Sequence, residues 1–370
     1  MNFENKYLRN FKPYKVGSHK VWQVSPNERK EILKLDWNEA GIEPSPKVKE
    51  RLLSMVQDGS FFNLYPSTYN ENLLQLLSDY VGLPRNNIQY FGSSDSLHEY
   101  LAKLFISVGD PILILGPTYD NFRLTAEVNG AHVFYHWFDD NWGFSQERFE
   151  KDIETIRPSL VYICNPNNPT GYLHSVDFIE YLVNKYTEVM FLVDEAYAEF
   201  SSVSAKGLVI THNNIVISRT MSKAFALANF RFGYLLASEK NVEYISRIRN
   251  SKNISTFAQE AAIGALSDVE YMQRYVGEVK KAQAYFLDAS KAFSEWFIVV
   301  PSYGNFNMAI CKNNRIKRDV LKHLENNNIF IRPLNQTDFL RDRGIRFTIG
   351  TIDQMRKVIE CLKNLFDNYE

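Results

Sequence analysis

The stretch "LVYICNPNNPTG", residues 160–171, joins a continuous apolar run to a loop rich in asparagine and proline. Five consecutive apolar residues are typical of a strand that is covered on both faces of its sheet. The two prolines restrict the backbone of the loop, and Asn168 can direct its amide into the space beyond the strand. We therefore interpret this stretch as a buried parallel strand followed by a binding loop.

Apolar runs of the same kind recur through the middle of the chain and alternate with stretches of helical period. They are "IQYF" at 88–91, "PILIL" at 111–115, "HVFYHWF" at 132–138, "VMFLV" at 189–193, "IVIS" at 215–218 and "GYLLA" at 233–237. Helices are expected at "DSLHEYLAKLFISV", with Asp95 as its cap, and at "SVDFIEYLVNKY". Since parallel strands need crossover connections, the alternation predicts an α/β fold with a three-layer α/β/α arrangement and a mainly parallel seven-stranded sheet.

The chain divides into three predicted parts. Residues 41–265 carry the α/β pattern and form the predicted large domain. Residues 266–370 contain a long helical pattern, then "WFIVVP", "FNMAI", "IFIRP" and "IRFTIG", and a closing helix. This order predicts a smaller α+β domain, which residues 1–40 are expected to join as an N-terminal arm.

Composition excludes several classes of function. With 42 basic and 43 acidic residues the formal net charge is −1, so neither nucleic acid nor a membrane surface is an expected partner. No apolar run approaches the roughly 18 residues of a membrane-spanning helix, and a cytoplasmic location is expected. The three cysteines, Cys164, Cys311 and Cys361, are too far apart to indicate a disulfide framework or a metal site.

Polar residues follow several of the predicted strands, where open α/β sheets bind their ligands. "GSSDS", residues 92–96, opens a helix and offers backbone N–H groups to an anion. Asp194 closes an apolar run, so its carboxylate is costly to bury unless a donor or a cation faces it. Tyr197 follows three residues later, near the same crevice.

The stretch "ISRTMSKAFALANFRFGY", residues 217–234, adds an amine to this edge of the sheet. Thr220 and Ser222 carry hydroxyls, and Arg231 is a planar cation suited to a phosphate. Lys223 becomes a nucleophile once it is desolvated close to other cations. A lone loop lysine is ordinarily solvated, but here other strand ends supply an anion cradle, an amide and a carboxylate.

Pyridoxal 5′-phosphate is a ligand that uses all of these groups. It carries an aldehyde for the amine, a phosphate, a phenolate oxygen, and a pyridine nitrogen that a carboxylate keeps protonated. Tyr119, in "GPTYDNF", can add an aromatic face against the ring. The residues therefore predict an enzyme that uses pyridoxal 5′-phosphate as its cofactor.

At this point the sequence resembles the fold-type I pyridoxal-phosphate enzymes, and most of all the histidinol-phosphate aminotransferase group. The similarity is carried by "FKPY", "KLDWNEAGIEPSP", "YP", "NPNNPTG", "DEAYAEF", "SRTMSKAFALANFRFGY" and "IRFTIGT", which span most of the chain. The resemblance implies the aspartate-aminotransferase-like fold, a class I/II aminotransferase and an obligate homodimer with sites shared between subunits.

The resemblance also implies roles for individual residues. Lys223 would bind the cofactor covalently and move the proton at the substrate α-carbon, and Asp194 would pair with the pyridine nitrogen. Tyr197 and Asn168 would hold the phenolate oxygen, and Tyr119 would stack on the ring. The residues expected around the phosphate are Ser93, Ser94, Asp95, Thr220, Ser222, Arg231 and, from the neighbouring subunit, Tyr65.

On the substrate side, Arg346 matches the arginine that grips the carboxylate or phosphate of the incoming molecule. The expected supporting residues are Arg332, Tyr14 and Asn38. A guanidinium accepts either anion, so these residues do not name the substrate. The chain departs from the group's usual pattern at Ala40, Ser96, Asn229, Phe230 and Pro333.

Three functions are weighed against these residues. The first is an aminotransferase that moves nitrogen from glutamate or a similar donor to a small oxo acceptor, with or without a phosphate. The alternative is a decarboxylase of a phosphorylated amino acid on the same scaffold. A catalytically silent binding protein is disfavoured because Lys223, Asp194 and Arg231 are all present.

Overall fold

A computed structural model describes Tyr7, residues 20–139, residues 142–367 and Tyr369. Its strands are β1 (Leu33–Leu35), β2 (Ile88–Phe91), β3 (Pro111–Gly116), β4 (His132–Trp137), β5 (Leu160–Cys164), β6 (Met190–Asp194), β7 (Ile215–Thr220), β8 (Gly233–Ala237), β9 (Phe297–Val299), β10 (Phe306–Cys311), β11 (Ile329–Pro333) and β12 (Gly344–Thr348). Its helices are α1 (Lys20–Gln23), α2 (Pro26–Arg29), α3 (Pro46–Asp58), α4 (Glu71–Val81), α5 (Ser94–Phe105), α6 (Asn121–Val128), α7 (Gln146–Ile156), α8 (Val176–Lys185), α9 (Ala198–Ser201), α10 (Glu239–Ile248), α11 (Thr256–Leu266), α12 (Val269–Ala289), α13 (Asn314–Asn326), α14 (Asp338–Arg343) and α15 (Ile352–Phe366). None of these described helices is long and apolar enough to cross a membrane.

The larger sheet has seven strands in the order β2-β8-β7-β6-β5-β3-β4. Strand β8 runs antiparallel to both of its neighbours, and the other pairs are parallel. Every residue of β2, β5, β7 and β8 is buried, as expected for strands that are covered on both faces. The predicted α/β class with a mainly parallel seven-stranded sheet is confirmed.

The smaller sheet has five strands in the order β1-β11-β12-β10-β9. Strand β1 pairs in parallel with β11, and the remaining pairs are antiparallel. Its strands therefore come from both ends of the chain, and α12 and α15 pack against one another beside it. The division of the chain at residues 40 and 265 stays a prediction.

The carboxyl ends of the central strands meet at one edge of the larger sheet. Asp194 at the end of β6 lies opposite Cys164 of β5 and Ser218 of β7. Strand β7 continues to Thr220, which pairs with Gly233 of β8. Residues that follow these strands are thus delivered to one place, as the parallel topology requires.

Helix α5 begins at Ser94, two residues before the start that a cap at Asp95 predicts. The cap is Ser93, whose Oγ accepts the N–H of Ser96 at 3.0 Å, so the prediction that Asp95 caps this helix was wrong. A cap residue has a non-helical backbone, and Ser93 has a φ of 144°, whereas Asp95 lies inside the first turn. The Asp95 carboxylate is therefore available for other partners.

Gly233 lets β8 approach the start of α5 very closely. A Cβ built at Gly233 would lie 2.5 Å from the backbone nitrogen of Ser94 and 2.6 Å from the carbonyl carbon of Ser93. These neighbours are backbone atoms, which cannot move aside as a flexible side chain can. A side chain at this position would displace the first turn of α5.

We expect Gly233→Ala to lower the free energy of unfolding by about 1–3 kcal/mol, since overpacking forces backbone shifts. Urea denaturation at equilibrium measures the change. Gly277→Ala is the matched control, because nothing lies within 4 Å of a Cβ there and the residue is inside α12. It should instead stabilise the protein by up to about 1 kcal/mol. Equal stability of the Gly233 variant and the unaltered chain would contradict the close approach.

Candidate active site

Lys223 lies just beyond β7 with its amine directed into the crevice between the two sheets. Its Nζ donates a hydrogen bond to the carbonyl oxygen of Trp37 at 2.9 Å and lies 5.9 Å from the centre of the Tyr197 ring. Desolvation, and next the positive charge of Arg346, lower the pKa of Lys223 to about 8. A neutral, nucleophilic amine is therefore far more abundant near neutral pH than it is for an ordinary lysine.

The carboxylate of Asp194 is held at the end of β6 by two donors. Its Oδ2 accepts the hydroxyl of Tyr162 at 2.8 Å, and its Oδ1 accepts the backbone N–H of Ala196 at 3.1 Å. Asp194 is only 3% exposed, and Tyr162 is fully buried and stacked on Phe122 at 4.7 Å. Burial, and next the charge of Asp194, raise the pKa of Tyr162, which keeps the phenol protonated as a donor.

Tyr197 presents its hydroxyl beside Lys223. The oxygen accepts hydrogen bonds from Nδ2 of Asn38 at 3.0 Å and from Nδ2 of Asn168 at 3.2 Å. Burial raises the pKa of Tyr197, while the charge of Arg346 opposes this rise. The phenol therefore stays protonated, and its own O–H can be donated to a ligand oxygen.

Arg346, on β12, reaches the same crevice from the smaller sheet. Its Nη1 donates to Oδ1 of Asn168 at 2.6 Å and its Nη2 donates to the carbonyl oxygen of Asp36 at 2.7 Å. Arg346 is 7% exposed. Arg332 on β11 is its direct partner across the strands, so the two side chains leave the sheet on the same face.

Asn38 is fixed to the smaller sheet by its backbone. Its N–H donates to the hydroxyl of Thr348 at 3.0 Å, and its carbonyl oxygen accepts Nδ2 of Asn305 at 3.1 Å. The Thr348 hydroxyl in turn donates to Oδ1 of Asn38 at 3.0 Å. These bonds orient the Asn38 amide so that its Nδ2 faces Tyr197.

The start of α5 forms an anion cradle. The N–H of Ser96 is used by Ser93 Oγ and that of Leu97 by the carbonyl oxygen of Ser93 at 3.1 Å. Within the described part of the chain this leaves the N–H groups of Ser94 and Asp95 for a ligand, because the first N–H groups of a helix have no acceptor inside it.

Hydroxyls from β7 line the same cradle. Thr220 lies opposite Gly233, which touches the start of α5, and its Oγ1 is 2.9 Å from the Oγ of Ser222. The backbone N–H of Ser222 also donates to Thr220 Oγ1, at 3.1 Å. The two hydroxyls are thus held as a pair beside the helix terminus.

Arg231 is joined to the cradle through Asp95. Its Nη2 donates to Oδ2 of Asp95 at 3.2 Å, and Oδ1 of Asp95 accepts the hydroxyl of Tyr119 at 3.2 Å and Nδ2 of Asn121 at 3.0 Å. About half of the Arg231 side chain is exposed, so the guanidinium is accessible to a ligand from the crevice. The Asp95 carboxylate therefore orients both the ring of Tyr119 and the cation.

Four residues of the site have left-handed backbone conformations although none is glycine. The φ angles are 56° at Asn38, 144° at Ser93, 59° at Ala226 and 54° at Arg231. Such conformations cost on the order of 1–3 kcal/mol each and are typical of sites where the surrounding structure holds them in place.

Tyr65, which is expected to come from a neighbouring subunit, is not part of this cluster within one chain. Tyr65 is 80% exposed, and its ring faces the ammonium of Lys252 at 4.6 Å. Tyr14 lies outside the described residues. The site also contains Tyr162, Trp37 and Asn121, which the sequence does not single out; the phenol inside the apolar run of β5 is a signal for Tyr162.

The arrangement combines a nucleophilic amine, a fixed carboxylate, a protonated phenol with an amide, and a cradle for a phosphate. A separate pair of arginines faces the same crevice and can accept a second anion. The donor set therefore fits the aldehyde, ring nitrogen, phenolate and phosphate of pyridoxal 5′-phosphate, and leaves a place for an anionic substrate beside it.

Comparison with known proteins gives one consistent family. The model of the family "Aminotransferase class I and II" matches residues 30–362. The chain is 38% identical to a dihydroxyacetone phosphate transaminase from Campylobacter jejuni, over 97% of this chain and 96% of that protein. It is 32% identical to a histidinol-phosphate aminotransferase from Ruminiclostridium cellulolyticum, over 94% and 93% of the two chains.

A solved structure extends the comparison to the fold. It is the histidinol-phosphate aminotransferase from Sinorhizobium meliloti in complex with pyridoxal 5′-phosphate, which matches with a TM-score of 0.88. The match covers 99% of this chain and 98% of that one, at 22% identity. The aspartate-aminotransferase-like architecture expected from the sequence is confirmed.

The lowered pKa of Lys223 has a measurable consequence in the cofactor-free protein. The neutral amine is the reactive form and its fraction rises with pH through the pKa, so reductive methylation of Lys223 should have a midpoint near pH 8. Quantitative mass spectrometry of the Lys223 peptide follows the reaction, with exposed lysines of the same digest as the reference. Arg346→Met should move the midpoint upward, because it removes one cause of the shift. A midpoint at the ordinary lysine value of about 10.4 would refute the assignment.

Proposed function

The chain belongs to the class I and II aminotransferases, and from this membership we propose that it transfers an amino group from glutamate or a similar donor to a small phosphorylated ketone, with pyridoxal 5′-phosphate as cofactor. The observation that carries the proposal is the convergence of Lys223, Asp194 and Tyr197 on one crevice with the cradle at the start of α5.

Each part of the site has a task toward the cofactor. Lys223 binds the cofactor covalently through its Nζ, and Asp194 keeps the ring nitrogen protonated. Tyr197 and Asn168 donate to the phenolate oxygen. The N–H groups at the start of α5, the Thr220 and Ser222 hydroxyls and Arg231 bind the phosphate. When bound, the cofactor supplies an aldehyde that accepts the amino group and a protonated ring that withdraws electrons from the substrate α-carbon.

The proton at the substrate α-carbon is moved by Lys223. With its Nζ unbound, Lys223 has a pKa of about 8, which suits a general base near neutral pH. The carbonyl oxygen of Trp37 holds the amine by one hydrogen bond, which leaves its lone pair free to accept the proton.

The acceptor is proposed to be dihydroxyacetone phosphate or a ketone of similar size. Arg332 and Arg346 place two positive charges on one face of adjacent strands, and like charges in this position repel one another. A phosphate dianion relieves that repulsion better than a single carboxylate does. The name of the 38% identical relative supports the same choice.

A half-reaction test separates the candidate activities. Glutamate should convert the absorbance of the bound cofactor to that of its amine form, and dihydroxyacetone phosphate should then restore it. We expect Lys223→Ala to slow both steps by at least about 10³-fold, since it removes the group that transfers the proton. No conversion by any amino donor would contradict the proposal. Release of CO2 from a phosphorylated amino acid without a ketone would establish the decarboxylase instead.

We also propose that two copies of the chain associate and share their sites. The segment between α3 and α4 exposes Phe62, Leu64, Tyr65 and Tyr69, which is unusual for a monomer. An apolar groove beside it is lined by Leu52, Leu53, Val56, Phe230 and Tyr271. The groove reaches Phe230, the residue before Arg231, so the aromatic segment of a second copy lying there would bring Tyr65 to the phosphate cradle.

Mixing two defective variants tests this sharing. Lys223→Ala removes the amine, and Tyr65→Ala removes the residue that the partner is proposed to contribute. Each variant alone should be weakly active at limiting cofactor, whereas their co-refolded mixture should regain activity, because a hybrid dimer contains one intact site. Sedimentation should give twice the mass of the chain. Failure of the mixture to exceed its separate components would argue against shared sites.

A further inference from the structure

Lys317 on α13 is a buried lysine outside the crevice. It is 5% exposed, and its ammonium donates to the carbonyl oxygens of Leu334 at 3.0 Å, Leu340 at 3.0 Å and Arg341 at 2.7 Å. No carboxylate of the described residues forms an ion pair with it. A buried ammonium is costly unless all of its donors are satisfied, and here three carbonyls satisfy them.

The three carbonyls belong to the connection between β11 and β12. Leu334 follows β11 directly, whereas Leu340 and Arg341 lie in α14, which ends where β12 begins. The ammonium thus holds both ends of this connection to α13. The connection is also the link between the strand of Arg332 and the strand of Arg346.

The pairing of β11 with β12 is short. Arg332 pairs with Arg346, and Pro333 pairs with Ile345. Beyond these two pairs, one further hydrogen bond joins the strands, from the N–H of Leu334 to the carbonyl oxygen of Gly344 at 3.0 Å. Leu334 is therefore both the end of the ladder and an acceptor of Lys317.

Arg332 and Arg346 lie opposite one another on this short ladder, so the spacing of their side chains follows the spacing of β11 and β12. The hydrogen bonds from Lys317 to Leu334 and to α14 hold β11 and β12 at a fixed spacing from outside the crevice. We propose that Lys317 is a positioning residue that fixes the spacing of Arg332 and Arg346 for the phosphate of the acceptor. This inference rests on the proposed function, since it assigns the arginine pair to a phosphorylated ketone.

Lys317→Met keeps the length of the side chain and removes the ammonium. We expect the KM for dihydroxyacetone phosphate to rise about tenfold and kcat to change less than about twofold, because a misplaced binding group weakens capture of the substrate. The dissociation constant of inorganic phosphate, measured calorimetrically on the holoenzyme, should rise by a similar factor. Affinity for the cofactor should be unchanged, and Lys317→Arg should recover part of the loss.

Lys206→Met is the matched control. The Lys206 ammonium also donates to a backbone carbonyl, that of Val81, and desolvation lowers its pKa as it does for Lys317, but it lies beside the larger sheet. Its replacement should lower the thermal unfolding temperature without changing the KM or the affinity for phosphate. A comparable loss of stability in both variants makes the comparison of their KM values meaningful.

The outcomes separate positioning from a structural role. Normal KM and normal phosphate affinity in a destabilised Lys317→Met protein would overturn the inference, as would an equal rise of KM in Lys206→Met. If Lys317→Met does not fold, Lys317→Gln is measured in the same way. If the unaltered enzyme does not aminate the ketone, the proposed function fails, while the calorimetric comparison of phosphate binding still decides whether Lys317 positions the arginines.

Discussion

The amide of Asn168 connects the two sheets of this protein. Its Nδ2 donates to Tyr197, which follows β6 of the larger sheet, and its Oδ1 accepts Nη1 of Arg346, on β12 of the smaller one. An amide is suited to this place because it is a donor on one side and an acceptor on the other. Asn168 is therefore one side chain that contacts both a group proposed for the cofactor and a group proposed for the substrate.

Much of this arrangement follows from the sequence because parallel strands end at a common edge. Strands β2, β5 and β8 have the predicted bounds, and Lys223, Asp194 and Asn168 meet because each follows such a strand. The sequence does not reveal which residues of one sheet contact which residues of the other. The Trp37 carbonyl beside Lys223 belongs to the N-terminal region, and a backbone oxygen carries no signature of its own. The cap of α5 was misassigned because Ser93 and Asp95 are both good caps, and only the backbone conformation distinguishes them.

Four of the eight described non-glycine residues with a positive φ lie at the site. Asn38 is held in its left-handed conformation by Thr348 and Asn305, and Ser93 by the first turn of α5. Strain of this size has to be balanced by well-packed surroundings, which buried strands of both sheets provide. The buried strands thus stabilise site residues whose backbone conformation is locally unfavourable.

The charge of Arg346 links the binding of an anion at its guanidinium to the pKa of Lys223. Arg346 is one of the causes that keep the pKa of Lys223 low, and an anion bound to its guanidinium neutralises that cause. An anionic substrate bound at Arg346, as proposed above, would therefore make the free amine of Lys223 a stronger base. Thermodynamic reciprocity requires the converse as well: the protonated amine holds the anion more tightly, and loss of that proton favours release of the product.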